Sequence, residues 1–186
     1  MTAGPGRWDS RRAAVTFLLV ASCTVGADLL SKWYVHSALP QGDRLTVIPF
    51  LIEFQVRHNP GAAFSMGAGR KSLLIVFSMI ACVAISWAAW RYGCTSRALL
   101  VGLALLLGGA AGNLYDRLLY DGMVRDFVHL HLGQIVSWPG IFNVADVAIV
   151  AGCALVVWNS FRSGRQAATP RGTNQGRTGR SGARGG

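Results

Sequence analysis

The chain has 186 residues, of which 52% are hydrophobic and only 14% charged, with a mean hydropathy of +0.37. A soluble domain carries about 25% charged residues, whereas here Ala13–Ala27, Ser72–Trp90 and Ala98–Tyr115 carry none and Phe127–Phe161 carries only Asp146. A water-soluble enzyme, a disordered protein and a disulfide scaffold are excluded, and the net charge of +10 has to be read against a bilayer.

A membrane helix needs about 20 mainly apolar residues. The first segment that qualifies is about 13–33. Its head resembles a lipoprotein signal peptide, with Arg11-Arg12, an apolar run and then Val20-Ala21-Ser22-Cys23. Three further spans follow, which a mature lipoprotein does not need. Near its end, Asp28 and Lys32 lie i,i+4 with the acid first, the favoured order for a helical ion pair. The pair either closes the end of the span or takes part in chemistry.

From Phe50 to Arg57 the even positions are apolar and the odd ones mostly polar, which predicts a half-buried strand. Asn59-Pro60-Gly61-Ala62-Ala63-Phe64 then supplies a turn and small residues that permit close approach by another chain. Spans two and three, about 72–90 and 98–115, are joined by so short a loop that they form a helical hairpin. In the third, Gly108 and Gly112 are spaced for helix–helix contact. Asn113 and Arg117 share one face at its end, with Asp116 beside them.

Val128–Leu132 repeats the strand pattern, so two outer strands are expected to pair into a small sheet. His129 and His131 share one face of it, but no third ligand has a clear spacing, and no metal or other cofactor is expected. Asp126 opens this strand. Asn143 and Asp146 open the last span, about 141–160. The Arg/Gly-rich segment 163–186 has too little apolar surface to fold and is expected to be a disordered tail. Contact with RNA is not needed to explain its charge, and no nucleic-acid partner is expected.

With four spans, both termini share one side. The termini and the 91–97 loop hold eleven arginines and the single acid Asp9. The positive-inside rule places them in the cytoplasm and segments 34–71 and 116–140 outside. Trp33, Trp87, Trp90, Trp138 and Trp158 fall near the predicted interfaces, and the four cysteines lie in spans or the cytoplasmic loop, where they read as apolar fillers. The fold class is therefore an α-helical membrane protein of four transmembrane helices with a small outer sheet, over residues 1–162.

An ionisable residue inside a span costs at least about 2.5 kcal/mol at mid-bilayer and is a functional candidate by default. Asp126 and Asp146 both map to the outer interface. Paired carboxylates split their proton affinities, so that one serves as base and the other as acid. Peptide hydrolysis without serine, cysteine or metal needs that, and so does a proton relay in a small transporter. A transporter would be expected to show internal repeats, and none is evident.

The ordered set Asp28…Ser31-Lys32, Asn59-x-Gly61-Ala62-Ala63-Phe64, Gly108-Gly109-x-x-Gly112-Asn113-x-x-Asp116-Arg117, Val124-x-Asp126-Phe127 and Phe142-Asn143-x-Ala145-Asp146 resembles the bacterial lipoprotein signal peptidase (signal peptidase II) family over about 13–161. The resemblance implies that Asp126 and Asp146 are the catalytic dyad of an intramembrane aspartic peptidase. It implies that Asn59, Asn113, Arg117 and Asn143 shape the substrate pocket, with Asp28, Lys32, Gly61, Gly108, Gly112 and Asp116 in supporting roles. It also implies an outer β-cradle, a mobile segment over the site, and a diacylglyceryl-modified prolipoprotein as substrate, cut before its lipidated cysteine. Membrane lipids are the other expected partner. Oligomeric state is not legible.

Overall fold

The computed structural model describes residues 9–61, 70–132 and 136–168, with the side chains of 132–139 and 164–168 left aside. Four helices are long and apolar enough to cross a membrane: α1 (Ser10–Ala38), α2 (Lys71–Tyr92), α3 (Arg97–Leu119) and α4 (Val144–Ala168). Asp9 caps α1 by accepting the Arg11 N–H at 3.1 Å. At 29 residues and 1.5 Å per residue, α1 is about 43 Å long, against a hydrocarbon core of about 30 Å. Its last turns therefore project beyond the apolar layer, where they meet the sheet.

Helix α3 is central and packs against α1, α2 and α4. Its glycines make this possible. A Cβ on Gly108 would lie 2.5 Å from Thr24 Cβ of α1, and one on Gly112 would lie 2.5 Å from Asp28 Oδ2. On another face, a Cβ on Gly109 would meet the Ala145 carbonyl of α4 at 2.5 Å. So the small residues bring the polar ends of α1 and α4 onto α3, as the spacing predicts for Gly108 and Gly112. Many large apolar side chains, among them Leu18, Phe77, Val83 and Val150, remain more than half exposed. For a bundle in lipid that exposure carries no hydrophobic cost.

Outside the helices, β1 (Arg44–Ile48), β2 (Ile52–Asn59), β3 (Val124–Leu132) and β4 (Val136–Phe142) form one antiparallel sheet in the order β1-β2-β3-β4. Val56 and Phe127 bury against Val35 of α1, with Leu39, Phe54, Val128 and Val144 around them. Phe54 and Phe127 meet edge to face at 5.5 Å. This small core fastens the sheet to the C-terminal end of α1 and the N-terminal end of α4.

The predicted pairing of the two alternating segments is present as β2 with β3. Several expectations need correction. Phe50 is not in a strand but in the β1–β2 turn, 65% exposed and at φ 61°. β1, all of whose residues are exposed, and β4 are additional strands. The last span starts at Val144 rather than 141, because Ile141 and Phe142 belong to β4. Helix α4 also continues to Ala168, past the expected tail start at Ser163. The remainder of that tail, and the Ala62-Ala63-Phe64 end of the predicted motif, lie outside the described residues. Cys23 and Cys153 are exposed on their helices, and Cys82 and Cys94 are half-buried.

Candidate active site

Asp146 occupies the first turn of α4, and Asn143 precedes that helix. The two form a reciprocal cap: Asp146 N–H donates to Asn143 Oδ1 at 3.0 Å, and Asn143 N–H donates to Asp146 Oδ2 at 3.2 Å. The other Asp146 oxygen, Oδ1, accepts from Asn113 Nδ2 of α3 at 3.0 Å. Both carboxylate oxygens are thus held by the protein, while the residue itself is only half-buried.

Asp126 is 1% exposed. It lies near the start of β3, where Asn143 Nδ2 donates to its Oδ1 at 2.6 Å and Asn59 Nδ2, from the end of β2, to its Oδ2 at 3.0 Å. Its backbone carbonyl accepts from His36 Nε2 at 3.3 Å, a contact that requires the proton on that nitrogen. Burial pushes the Asp126 carboxyl up to about 7, and the negative charge of Asp146 adds to the effect. The amides of Asn59 and Asn143 and the Lys32 charge act the other way. The structure thus joins the two aspartates through one side chain, Asn143, which is fully buried.

Beneath them lies a buried charge cluster. Lys32 Nζ is 2.6 Å from Asp28 Oδ2 and 3.3 Å from Asp116 Oδ2, and it donates to Asn113 Oδ1 at 3.0 Å. Asp28 Oδ1 accepts the Ala145 N–H at 2.9 Å, so an α1 side chain also caps α4. Arg125 encloses Asp116, with Nη2 at 2.8 Å, Nε at 3.2 Å and its backbone N–H at 3.0 Å, and stacks over Tyr120 at 4.4 Å. Two acids and two bases balance, and each polar end has a partner, which is the condition for keeping charge out of water. The contacts of Asp28 and Lys32 are with each other, Asp116, Asn113 and the α4 backbone.

Arg117 does not pair with Asp116. It is 9% exposed, and it reaches Gly61 O at 3.3 Å, Ser78 Oγ at 3.4 Å and Asn113 O at 3.5 Å. These are long contacts, and Arg117 Nε has no hydrogen-bond partner among the described residues. The Asp146, Asp126 and Asp116 charges all act on it. Gly61 is held in turn, its N–H donating to Asn59 Oδ1 at 3.0 Å.

Sequence reading passes over three residues. Arg125, which holds Asp116, and His36, which donates to the Asp126 carbonyl, carry no signal of those contacts in the sequence. Glu53 has no sequence signal towards His129 and His131, yet the sheet register sets it opposite His129. The expectation that this histidine pair lacks a third ligand is therefore corrected: ligand atoms of Glu53, His129 and His131 all lie within 4.8 Å of one another. The Asn143-x-x-Asp146 spacing before an apolar run was the available signal for the cap.

The model of the family described as signal peptidase (SPase) II matches residues 20–162. The lipoprotein signal peptidase of Polynucleobacter necessarius subsp. necessarius is 37% identical over 150 residues, which cover 78% of this chain and 89% of the relative. That of Moorella thermoacetica is 39% identical over 143 residues, 76% and 90% of the two chains. A solved bacterial membrane enzyme, determined by the in meso method at 2.3 Å, superposes with a TM-score of 0.78 at 24% identity over 90% of this chain and 98% of its own. That likeness carries the fold, and the sequence relatives carry the lineage. With a family match that reaches into all four helices and includes both aspartates, the chain belongs to the signal peptidase II family.

Proposed function

We propose that this protein is a multi-pass membrane aspartic endopeptidase that removes signal peptides from diacylglyceryl-modified prolipoproteins, cutting before the lipidated cysteine. The observation that carries the reading is the asymmetric carboxylate pair joined by Asn143: Asp126 buried and pushed up to about 7, Asp146 half-buried at the head of a helix. Two carboxyls in unlike environments are what a shared acid–base proton requires.

In this mechanism the dyad titrates as one unit, and its shared proton resides mainly on Asp126. A water between the carboxylates gives a proton to Asp146 as its oxygen bonds to the scissile carbonyl carbon. Asp126 hydrogen-bonds the carbonyl oxygen as negative charge develops there. The tetrahedral intermediate then collapses, the C–N bond breaks, and the proton taken up by the dyad passes to the leaving amine. Asn143, Asn113 and Asn59 hold the carboxylates in place. Arg117, with its long contacts, serves the substrate backbone. No metal or cofactor enters these steps.

Substrate geometry supports the same reading. An apolar groove of about 510 Å³ runs between α1 and α4, lined by Leu19, Cys23, Ala27, Val144, Val147 and Ala151 among others. Val144 and Val147 bracket Asp146 in sequence, so lipid-soluble chains can lie in the groove with their polar end at the dyad. The arginine distribution favours cytoplasmic termini and an outer site. The test is incubation of purified protein with a diacylglyceryl-modified prolipoprotein peptide and its unlipidated twin. Cleavage before the cysteine of the first is expected. No cleavage by protein that is folded in detergent would overturn the proposal.

A further inference from the structure

We propose that Glu53, His129 and His131 form a binding site for a first-row divalent transition metal, Zn²⁺ foremost, that clips β2 to β3 on the outer sheet. Glu53 and His129 are direct cross-strand partners in the antiparallel ladder, and His131 follows two positions on, on the same side of β3. The register is pinned by the His131 N–H, which donates to Leu51 O at 2.8 Å. His131 Nε2 lies 3.0 Å from Glu53 Oε2, and the rings of His129 and His131 have centroids 4.2 Å apart. The three ligand atoms lie within 4.8 Å of one another. Bonds of about 2.0–2.2 Å to one zinc set ligand atoms roughly 3.4 Å apart, so closure needs only small side-chain rotations.

The donor set selects the metal. Two imidazoles and one carboxylate suit zinc, nickel or copper, whereas magnesium and calcium prefer all-oxygen shells. All three residues are half-buried, with 24% of the Glu53 side chain and 19% of the His131 side chain exposed. An ion can therefore enter from water without opening the sheet. The competing cation, Arg44, sits 3.8 Å from Glu53 Oε2 and its side chain is 58% exposed, a loose contact that a bound metal displaces. The clip joins the strand that carries Asn59 to the strand that carries Asp126. It acts on the rigidity of the sheet and supplies no group to hydrolysis.

The experiment uses tag-free full-length protein in detergent, stripped with a chelator and titrated with ZnCl₂ alone, with MgCl₂ as control. Calorimetry should show one saturable zinc per chain, and Tm should climb with the logarithm of free zinc and not respond to magnesium. Co²⁺ should give the visible absorption of a tetrahedral site. Glu53→Gln and His131→Gln should each weaken zinc binding at least about tenfold, and the metal-free Tm of each variant reports its own folding. Chelation should lower Tm to the stripped value and leave cleavage per folded molecule unchanged. Absence of saturable binding overturns the site. So does wild-type affinity in Glu53→Gln, which would place the zinc elsewhere, for instance at the facing His36 and His58 rings.

Discussion

Asn143 and Asp146 exchange hydrogen bonds at the head of α4, 3.0 Å in one direction and 3.2 Å in the other, while the Asn143 amide reaches Asp126 at 2.6 Å. The cap that starts the helix is also the device that aims both carboxylates. Asn143→Ala should lower stability by about 0.5–2 kcal/mol through the lost cap and cleavage by about 100-fold through misplacement of the dyad. Asn143→Ser keeps a capping oxygen and loses the reach to Asp126. It should recover much of the Tm and little of the activity, measured as cleavage per folded molecule.

Asp126→Asn and Asp146→Asn keep the side-chain shape and remove the acid–base function. Each should insert and fold, and each should lose cleavage by about 100-fold or more, in the range usual for a lost general acid or base. Comparable turnover in either variant would remove that residue from the dyad.

The pH dependence has a definite sign. Asp126 is raised from its ordinary 3.8 to about 7, so it keeps its proton below neutrality, and cleavage should fall as pH rises through about 7. Unfolded chains ionise this group near 3.8, so the folded state binds more protons between there and about 7. The contribution of Asp126 to stability therefore declines across that window as pH rises. Asn59 donates to the Asp126 carboxylate, so Asn59→Ala should move the alkaline limb to higher pH. A pH–rate profile with the limb unmoved or moved down would show that Asn59 does not act through Asp126.

Arg117→Ala should weaken cleavage and the binding of a peptide-like inhibitor together. A substrate backbone group left buried and unpaired in the pocket costs about 1–3 kcal/mol, roughly 5- to 150-fold. Arg117→Lys keeps the charge and loses the fork, so it should recover only part of the affinity. If the contacts to Gly61, Ser78 and Asn113 are the whole of its role, the alanine variant will instead lower Tm and leave inhibitor affinity intact.

Truncation after Ala168 should leave turnover per folded molecule unchanged. The cut belongs there rather than at Ser163, because α4 continues to Ala168. A large fall in turnover at normal expression would contradict the assignment of the tail to the face opposite the site.

The four spans were legible because lipid enforces them: charge-free runs of the right length leave few alternatives. The alternation of Ile52, Phe54 and Val56 reported β2, whose Phe54 and Val56 pack in the core around Val35 of α1. β1 was silent for the converse reason, since its residues face no core and carry no burial pattern. β4 was hidden because its apolar residues run into those of α4, with only Asn143 between the two elements. At the site, Asp126, Asp146, Asn113 and Arg117 stood out as polar residues at the ends of spans, Asn59 read as part of a turn and Asn143 entered through the resemblance, and their pairing was not legible. That Asn59 reaches Asp126, or that Arg125 rather than Arg117 holds Asp116, depends on register and helix rotation. Neither is encoded locally.

The balanced cluster under the dyad bears on how the chain enters the membrane. Lys32 finds Asp28 one turn away on the same helix, so α1 presents a neutralised pair before any other helix exists. Asp116 finds Arg125 nine residues later, within the same emerging segment. Neither Asp28 nor Asp116 has to wait in the bilayer for a distant partner to be synthesised. Only the link between the two pairs, Lys32 with Asp116, is left to form when α1 and α3 dock, and the inner scaffold of the site is assembled by joining two units that are each already electrically complete.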